Sequence, residues 1–241
     1  MAEFCIKIAG CAIQIQSLYD SAKDYCSKYL TQDTPAFSVT VCREELAQEQ
    51  SFLDQEADEE GLRRRVFTEP FLERNVLQRK IAEQLLSFGV LLIHGSAVAY
   101  NGKGYLFTAA CGTGKSTHTR LWRQVFHDAV MVNDDKPFLR FIDDGIFLCG
   151  APWSGKHGLD TNIAVPLQGI CILERGSENR ITPISAEDAR DFLHHQCQAP
   201  LDLQKQPFFD FLAEKLLCTP LWRMQCTISE DAPKIAHNAM K

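Results

Sequence analysis

The stretch that most restricts this chain is Phe107–Thr119, FTAACGTGKSTHT. The run GYLFTAA leads into it as a buried strand, and KSTHTRLWRQVF leads out as a helix, so the segment reads as strand, loop, helix. In such an element, small residues let backbone N–H groups curl around phosphate oxygens. The helix N-terminus adds the positive end of its dipole. Gly114-Lys115-Ser116 matches the end of the usual phosphate-loop pattern, but Ala109 stands where that pattern has its first Gly. Ala is tolerated there if φ is negative. The expected nucleotide cradle is Ala110, Cys111, Gly112, Thr113, Gly114, Lys115, Ser116 and Thr117. Lys115 would bridge the β- and γ-phosphates of ATP, and Ser116 would ligate Mg²⁺. Cys111 is either a stand-in for a small Ser or a thiol activated by Lys115 and the helix N-terminus.

A second element follows at short range. The apolar run Ala129–Val132 ends in Asn133-Asp134-Asp135, and one helix with one adjacent strand fills the interval from Ser116. Asn and Asp are common turn formers. Beside a phosphate loop at this spacing, the carboxylates acquire a chemical reading: one holds the metal and the other accepts a proton from an attacking hydroxyl.

Two further stretches carry weaker signals. His94 ends an apolar run in LLIHGSAVAY, where a lone His is more often a satisfied core residue, and by itself it reads as that. The Gly-rich stretch Gly150–Asn162, GAPWSGKHGLDTN, reads either as a surface loop anchored by Trp153 or as a device that brings Lys156 onto a transferring phosphoryl group.

The rest of the chain organises around this centre. Residues 1–65 read as a small α+β appendage: FCIKI and CAIQIQ as strands, Ala22, Cys26 and Tyr29 on one helical face, AFSVTVC as a strand, then a charged segment from Glu44 to Arg65 that is a loop or a polar helix. The acidic run from Asp54 to Glu60 followed by Arg63-Arg64-Arg65 reads as a self-neutralising solvated stretch. Residues 66–241 read as the nucleotide-binding domain. Thr68 caps its first helix with Pro70 in the first turn, Leu72, Val76, Ile81, Leu85 and Phe88 form the apolar stripe, and Gly89 ends it. Short β-rich runs follow, from VLLIHGSAVAY to PLQGICILERG, interrupted by one central helix, and the remainder reads as helices over Ala186–Gln196, Pro207–Leu217 and Asp231–Met240.

Composition excludes some classes. A net charge of -6 with dispersed basic residues argues against a nucleic-acid partner. No apolar run approaches membrane-spanning length, and Glu3 and Lys7 interrupt any signal-peptide core. The 10 cysteines form no CxxC pair and no Cys/His ligand spacing, which fits a reducing compartment. The expectation is a cytoplasmic protein.

Taken in order, His94-Gly95, the phosphate loop, Asp134-Asp135 and SGKHGLDTN resemble the catalytic domain of the HPr kinase/phosphorylase family, which shares its nucleotide-binding fold with PEP carboxykinase. The resemblance runs from about Leu91 to Arg175. It implies an α/β core rich in strands with one central helix, and phosphoryl transfer from ATP to a serine hydroxyl. By this resemblance Asp134 is the base, His94 orients or tunes it, Asp135 and Ser116 hold Mg²⁺, and Lys115 and Lys156 act on the phosphates. Three positions depart from the family: Ala109 at the first Gly, Ser154 at the metal-associated Glu, and Lys156 in place of an Arg, which loses a bidentate fork. The implied partner is a protein, peptide or serine-like small molecule bearing a hydroxyl. A pocket closed by Lys156, Arg175 and Arg180 would favour the small molecule. The family's members are hexameric, so a homo-oligomer stays open. The alternative is a nucleotide-binding sensor or regulatory ATPase with no phosphoacceptor.

Overall fold

The computed structural model describes residues 1–59, 61 and 63–241, and the chain divides into two compact units, Met1–Gln84 and Leu85–Lys241. Glu60, the end of the acidic run, lies outside the described residues.

In the first unit, β1 (Ala2–Ile8) and β2 (Cys11–Ser17) form an antiparallel hairpin, and β3 (Phe37–Thr40) joins β2 in parallel. Alternation decides which face is covered: Phe4, Ile6, Ile8, Ile13 and Ile15 are buried. The short helix α1 (Ser21–Tyr25) passes into a 3₁₀ turn, and Ala22, Cys26 and Tyr29 are buried as their spacing predicts. The charged segment resolves as a helix, α2 (Arg43–Glu59), whose last turn ion-pairs Asp58 with Arg64. Helix α3 (Glu69–Leu86) starts at Thr68, whose carbonyl accepts from the Phe71 and Leu72 N–H groups.

The division falls within α3 rather than at 65/66, and polar contacts account for this. The buried Glu73 accepts from the backbone N–H groups of Leu18 and Tyr19. Arg79 meets the buried Glu49 at 2.8 Å, and Lys80 meets Glu45 at 2.6 Å and the Thr40 carbonyl at 2.7 Å. Most of α3 thus belongs with the strands before it.

The second unit is built on a nine-stranded curled sheet. Its strands are β4 (Val90–Leu92), β5 (Ser96–Tyr100), β6 (Lys103–Thr108), β7 (Val130–Asn133), β8 (Phe138–Ile142), β9 (Gly145–Cys149), β10 (Ala164–Arg175), β11 (Arg180–Pro183) and β12 (Leu221–Cys226). Helix α4 (Lys115–Val125) lies between β6 and β7, α5 (Ala186–Gln196) and α6 (Gln206–Leu216) between β11 and β12, and α7 (Asp231–Met240) follows. The long strand β10 causes the curl. Its first residues pair antiparallel with β9, its middle parallel with β6 and its end parallel with β12.

Both faces of this sheet are covered, giving a three-layer α/β architecture. On one face Leu106, Ile170 and Ile172 pack with Leu193 of α5 and Phe209, Leu212 and Leu216 of α6. On the other, Tyr105, Phe107, Cys171 and Leu173 pack with Trp122 of α4 and Ala232, Ala236 and Met240 of α7. Each such buried large side chain contributes about 1.5–3 kcal/mol of transfer free energy.

Two readings of the sequence change here. The C-terminal part is not all helical, because β11 and β12 complete the sheet: parallel pairing with β10 stabilises LWRMQC as a strand, and that partner is distant in sequence. Strand β7 also does not lie beside β6, since β5 runs antiparallel between them and pairs with both. The C-terminal ends of β6 and β7 and the N-terminal end of β5 therefore meet on one edge. Among the described residues no helix is long and apolar enough to cross a membrane.

Candidate active site

That edge assembles the cleft. Thr108 leaves β6 into the loop, His94-Gly95 leads into β5, and Asp134-Asp135 leaves β7. Gly95 permits the approach: a Cβ there would stand 2.8 Å from Leu106 Cδ1 and 3.0 Å from the Phe107 carbonyl oxygen. Its N–H donates to the Asp135 carbonyl at 2.9 Å, which ties the start of β5 to the carboxylate turn.

The loop has the conformation its sequence requires. Gly112 and Gly114 have φ of 71° and 122°, in the region that favours glycine. Among the described residues the only non-glycine ones with positive φ are Ala9 and Asn101, so Ala109 carries no such strain. Lys115 is buried, and its Nζ donates to the Ala109 carbonyl at 3.0 Å. Burial pushes the Lys115 amine below its usual value, while the neighbouring Cys111 and Asp135 pull it back up. Cys111 is exposed.

The two carboxylates have different settings. Asp134 is buried, and Ser96 Oγ donates to its Oδ1 at 2.9 Å. Thr119 Oγ1 lies 2.7 Å from Ser96 Oγ; because the single Ser96 proton goes to the carboxylate, Thr119 is the donor to Ser96. Asp135 is more open, with His94 Nε2 at 3.4 Å from its Oδ1. Burial alone would raise the Asp135 carboxyl; His94, Lys136 and Lys115 outweigh it and hold the group below its ordinary value. His94 therefore partners Asp135, not Asp134 as the resemblance implied. Asn133 shapes the turn: its Oδ1 accepts from the Asp135 and Lys136 N–H groups at 2.8 and 2.7 Å, and its Nδ2 donates to the Ala151 carbonyl at 2.8 Å.

The Ala151 contact draws the Gly-rich stretch over the carboxylates, where a Cβ on Gly155 would lie 3.7 Å from Asp134 Oδ2. The resulting cleft, of about 830 Å³, is lined by His94, Lys115, Ser116, Asp134, Asp135 and Lys156, together with Cys111, Gly112, Gly114 and Thr117 of the loop. Arg120, Arg123 and His157 line it too, and the sequence reading passed over them. It also missed Ser96 and Thr119. Ser154 faces Asp160 at 3.4 Å, and neither Ser154 nor Asn162 lines the cleft.

The other flank of the loop borders a second cleft, of about 520 Å³, where Thr117, Leu121, Arg175 and Ile228 lie. Arg175 Nη2 donates to the Gly112 carbonyl at 2.6 Å. Arg175 thus sits across the loop from Lys156, and Arg180 lines neither cleft, so these three residues do not close one pocket.

Among the described residues no group of three or more His, Cys, Asp or Glu forms a metal site. The chain offers Ser116 and Asp135 to one cleft, which fits a cation that keeps several waters and takes its other ligands from phosphates.

No protein-family model matches the chain, and no curated protein matches its sequence. Among solved structures it is similar to the Hpr(Ser) kinase/phosphatase from Coxiella burnetii, at 11% identity and a TM-score of 0.37, over 61% of this chain and 89% of that one.

Proposed function

We propose that this chain is an ATP-dependent kinase that transfers the γ-phosphoryl group to a Ser/Thr hydroxyl of a protein, peptide or serine-like small molecule. One observation carries the reading: a phosphate loop with a buried lysine opens into the same cleft as two carboxylates whose environments differ. Groups of one type held in unlike settings are the usual basis for separate roles in one reaction.

The nucleoside would occupy the cleft beside Arg175 and Ile228, with the phosphates along the loop amides and Lys115. Ser116 and Asp135 would hold Mg²⁺, which neutralises phosphate charge when bound. Ser96 takes up Oδ1 of Asp134, leaving Oδ2 to accept the acceptor's hydroxyl proton. The acceptor oxygen then bonds to the γ-phosphorus, the bond from that phosphorus to the β-phosphate oxygen breaks, and ADP leaves with the electron pair. Lys156, which lines the same cleft, would balance charge on the moving phosphoryl group.

Incubation with γ-labelled ATP and a cell extract tests this. Label in a protein band or a metabolite supports the kinase. Label in free phosphate alone overturns it in favour of a regulatory ATPase.

A further inference from the structure

We infer that the acceptor presents a carboxylate beside the hydroxyl to be phosphorylated, and that Arg120 and Arg123 of α4 recognise it. This rests on the kinase reading and names the class of substrate.

The cleft is cationic in a chain that is not. The protein carries a net charge of -6, yet Lys115, Arg120, Arg123 and Lys156 share this cleft with two carboxylates. Lys115 is accounted for by the loop. The side chains of Arg120, Arg123 and Lys156 have no hydrogen-bond or ion-pair partner among the described residues. Cationic side chains facing a common cleft without protein partners mark a place where an anion supplies the partner.

Helix geometry sets Arg123 apart from the donor phosphates, with Arg120 one turn from Ser116 between the two. Ser116, Arg120 and Arg123 are at i, i+4 and i+7, one face of α4, while Leu121 and Trp122 turn into the core. At 1.5 Å per residue, Arg123 lies about 12 Å along the axis from Lys115, two turns beyond the helix end that faces the phosphates. Its backbone thus lies beyond the loop, and the inference puts the acceptor on that side of the cleft. A planar guanidinium pair suits carboxylates, which it can hold in bidentate fashion.

The same chemistry could come from a peptide with Asp or Glu near its Ser, or from a free hydroxy acid. A direct binding measurement separates these cases. In the presence of ADP and Mg²⁺, fluorescence anisotropy is read for a labelled Ser peptide flanked by Glu and for the same peptide with Gln. The wild-type chain should bind the Glu peptide at least tenfold more tightly. Arg120→Gln/Arg123→Gln should bring that ratio within twofold while leaving ADP affinity within twofold, and Arg120→Lys/Arg123→Lys should keep part of it. If L-serine displaces the Glu peptide, the carboxylate comes from a free amino acid; if it does not, from a peptide. Equal binding of both peptides overturns the inference. So does a tenfold loss of ADP affinity in the Gln variant, which would give the arginines to the donor. Glu-peptide binding without transfer would sink the kinase reading alone; transfer without charge preference would sink this one alone.

Discussion

Ser96 Oγ donates to Asp134 Oδ1 over 2.9 Å, and Ser96 opens the strand that runs between those carrying the Gly112–Lys115 loop and the carboxylates. The bond fixes the rotamer of the proposed base from a rigid element. Ser96→Ala removes that restraint. Misplacing a reacting group by an ångström can cost about a hundredfold. The expected result is a ten- to hundredfold fall in kcat, about, with nucleotide KM within twofold. A change confined to nucleotide KM would assign Ser96 to the donor site.

Asp134→Asn removes the proposed proton acceptor and keeps the shape. General-base contributions are typically 10²–10⁴-fold, so transfer should fall at least about a hundredfold while ATP still binds. Single-turnover transfer beside equilibrium nucleotide binding checks both halves. Turnover surviving within about tenfold would mean that Asp134 is not the base.

How far the sequence anticipates this site depends on the range of the forces involved. The loop, α4 and Asp134-Asp135 are legible because spacing and local chemistry specify them. Helices α5, α6 and α7 are legible because apolar periodicity and caps are local, as where Ser185 accepts from the Asp188 N–H. Strands β11 and β12 are not, because β10 makes them strands. Ser96 escapes notice because a serine before an apolar run has no pattern of its own until the sheet brings Asp134 to it. Arg120 and Arg123 did leave a signal, the i, i+4, i+7 face with Ser116, which reads as an ordinary solvated stripe without the cleft.

Cys111 is exposed on the loop and lines the proposed acceptor cleft. Iodoacetamide adds bulk there, so treatment should block nucleotide binding, and ATP should protect. Cys42 and Cys218 are also exposed, so Cys111→Ser is the control: it should bind nucleotide normally and resist inactivation. Inactivation of that variant at the wild-type rate would place the effect elsewhere.

Gly150 holds the Lys156 stretch to the sheet. Its N–H donates to the Ile163 carbonyl at 2.9 Å, and an added Cβ would stand 1.9 Å from the Thr161 carbonyl oxygen and 3.0 Å from that of Val132. Those are backbone atoms, so Gly150→Ala must move chain rather than a rotamer. Overpacking of this kind costs about 1–3 kcal/mol. The variant should melt several degrees lower and lose transfer activity beyond the loss of folded protein. An unchanged Tm with full activity would show that the stretch relaxes without consequence.

His118 gives a pH signature that does not depend on knowing the substrate. It is buried beneath the loop, where Trp122 Nε1 donates to its Nε2 at 3.0 Å and the Phe107 ring lies 4.5 Å away. Burial pushes its pKa from 6.5 down to about 3. Between those values the unfolded chain binds a proton there that the folded chain does not, so stability rises with pH across this window and is lost as pH falls below 6.5. At about 1.4 kcal/mol per pH unit, the loss from pH 7 to pH 5 due to this residue is about 2 kcal/mol. His118→Gln keeps an acceptor for Trp122 and removes the titration. Denaturant unfolding at both pH values should show the variant losing about 2 kcal/mol less than the wild type over that interval. Equal losses in the two proteins would mean that His118 is protonated in the folded chain at pH 5.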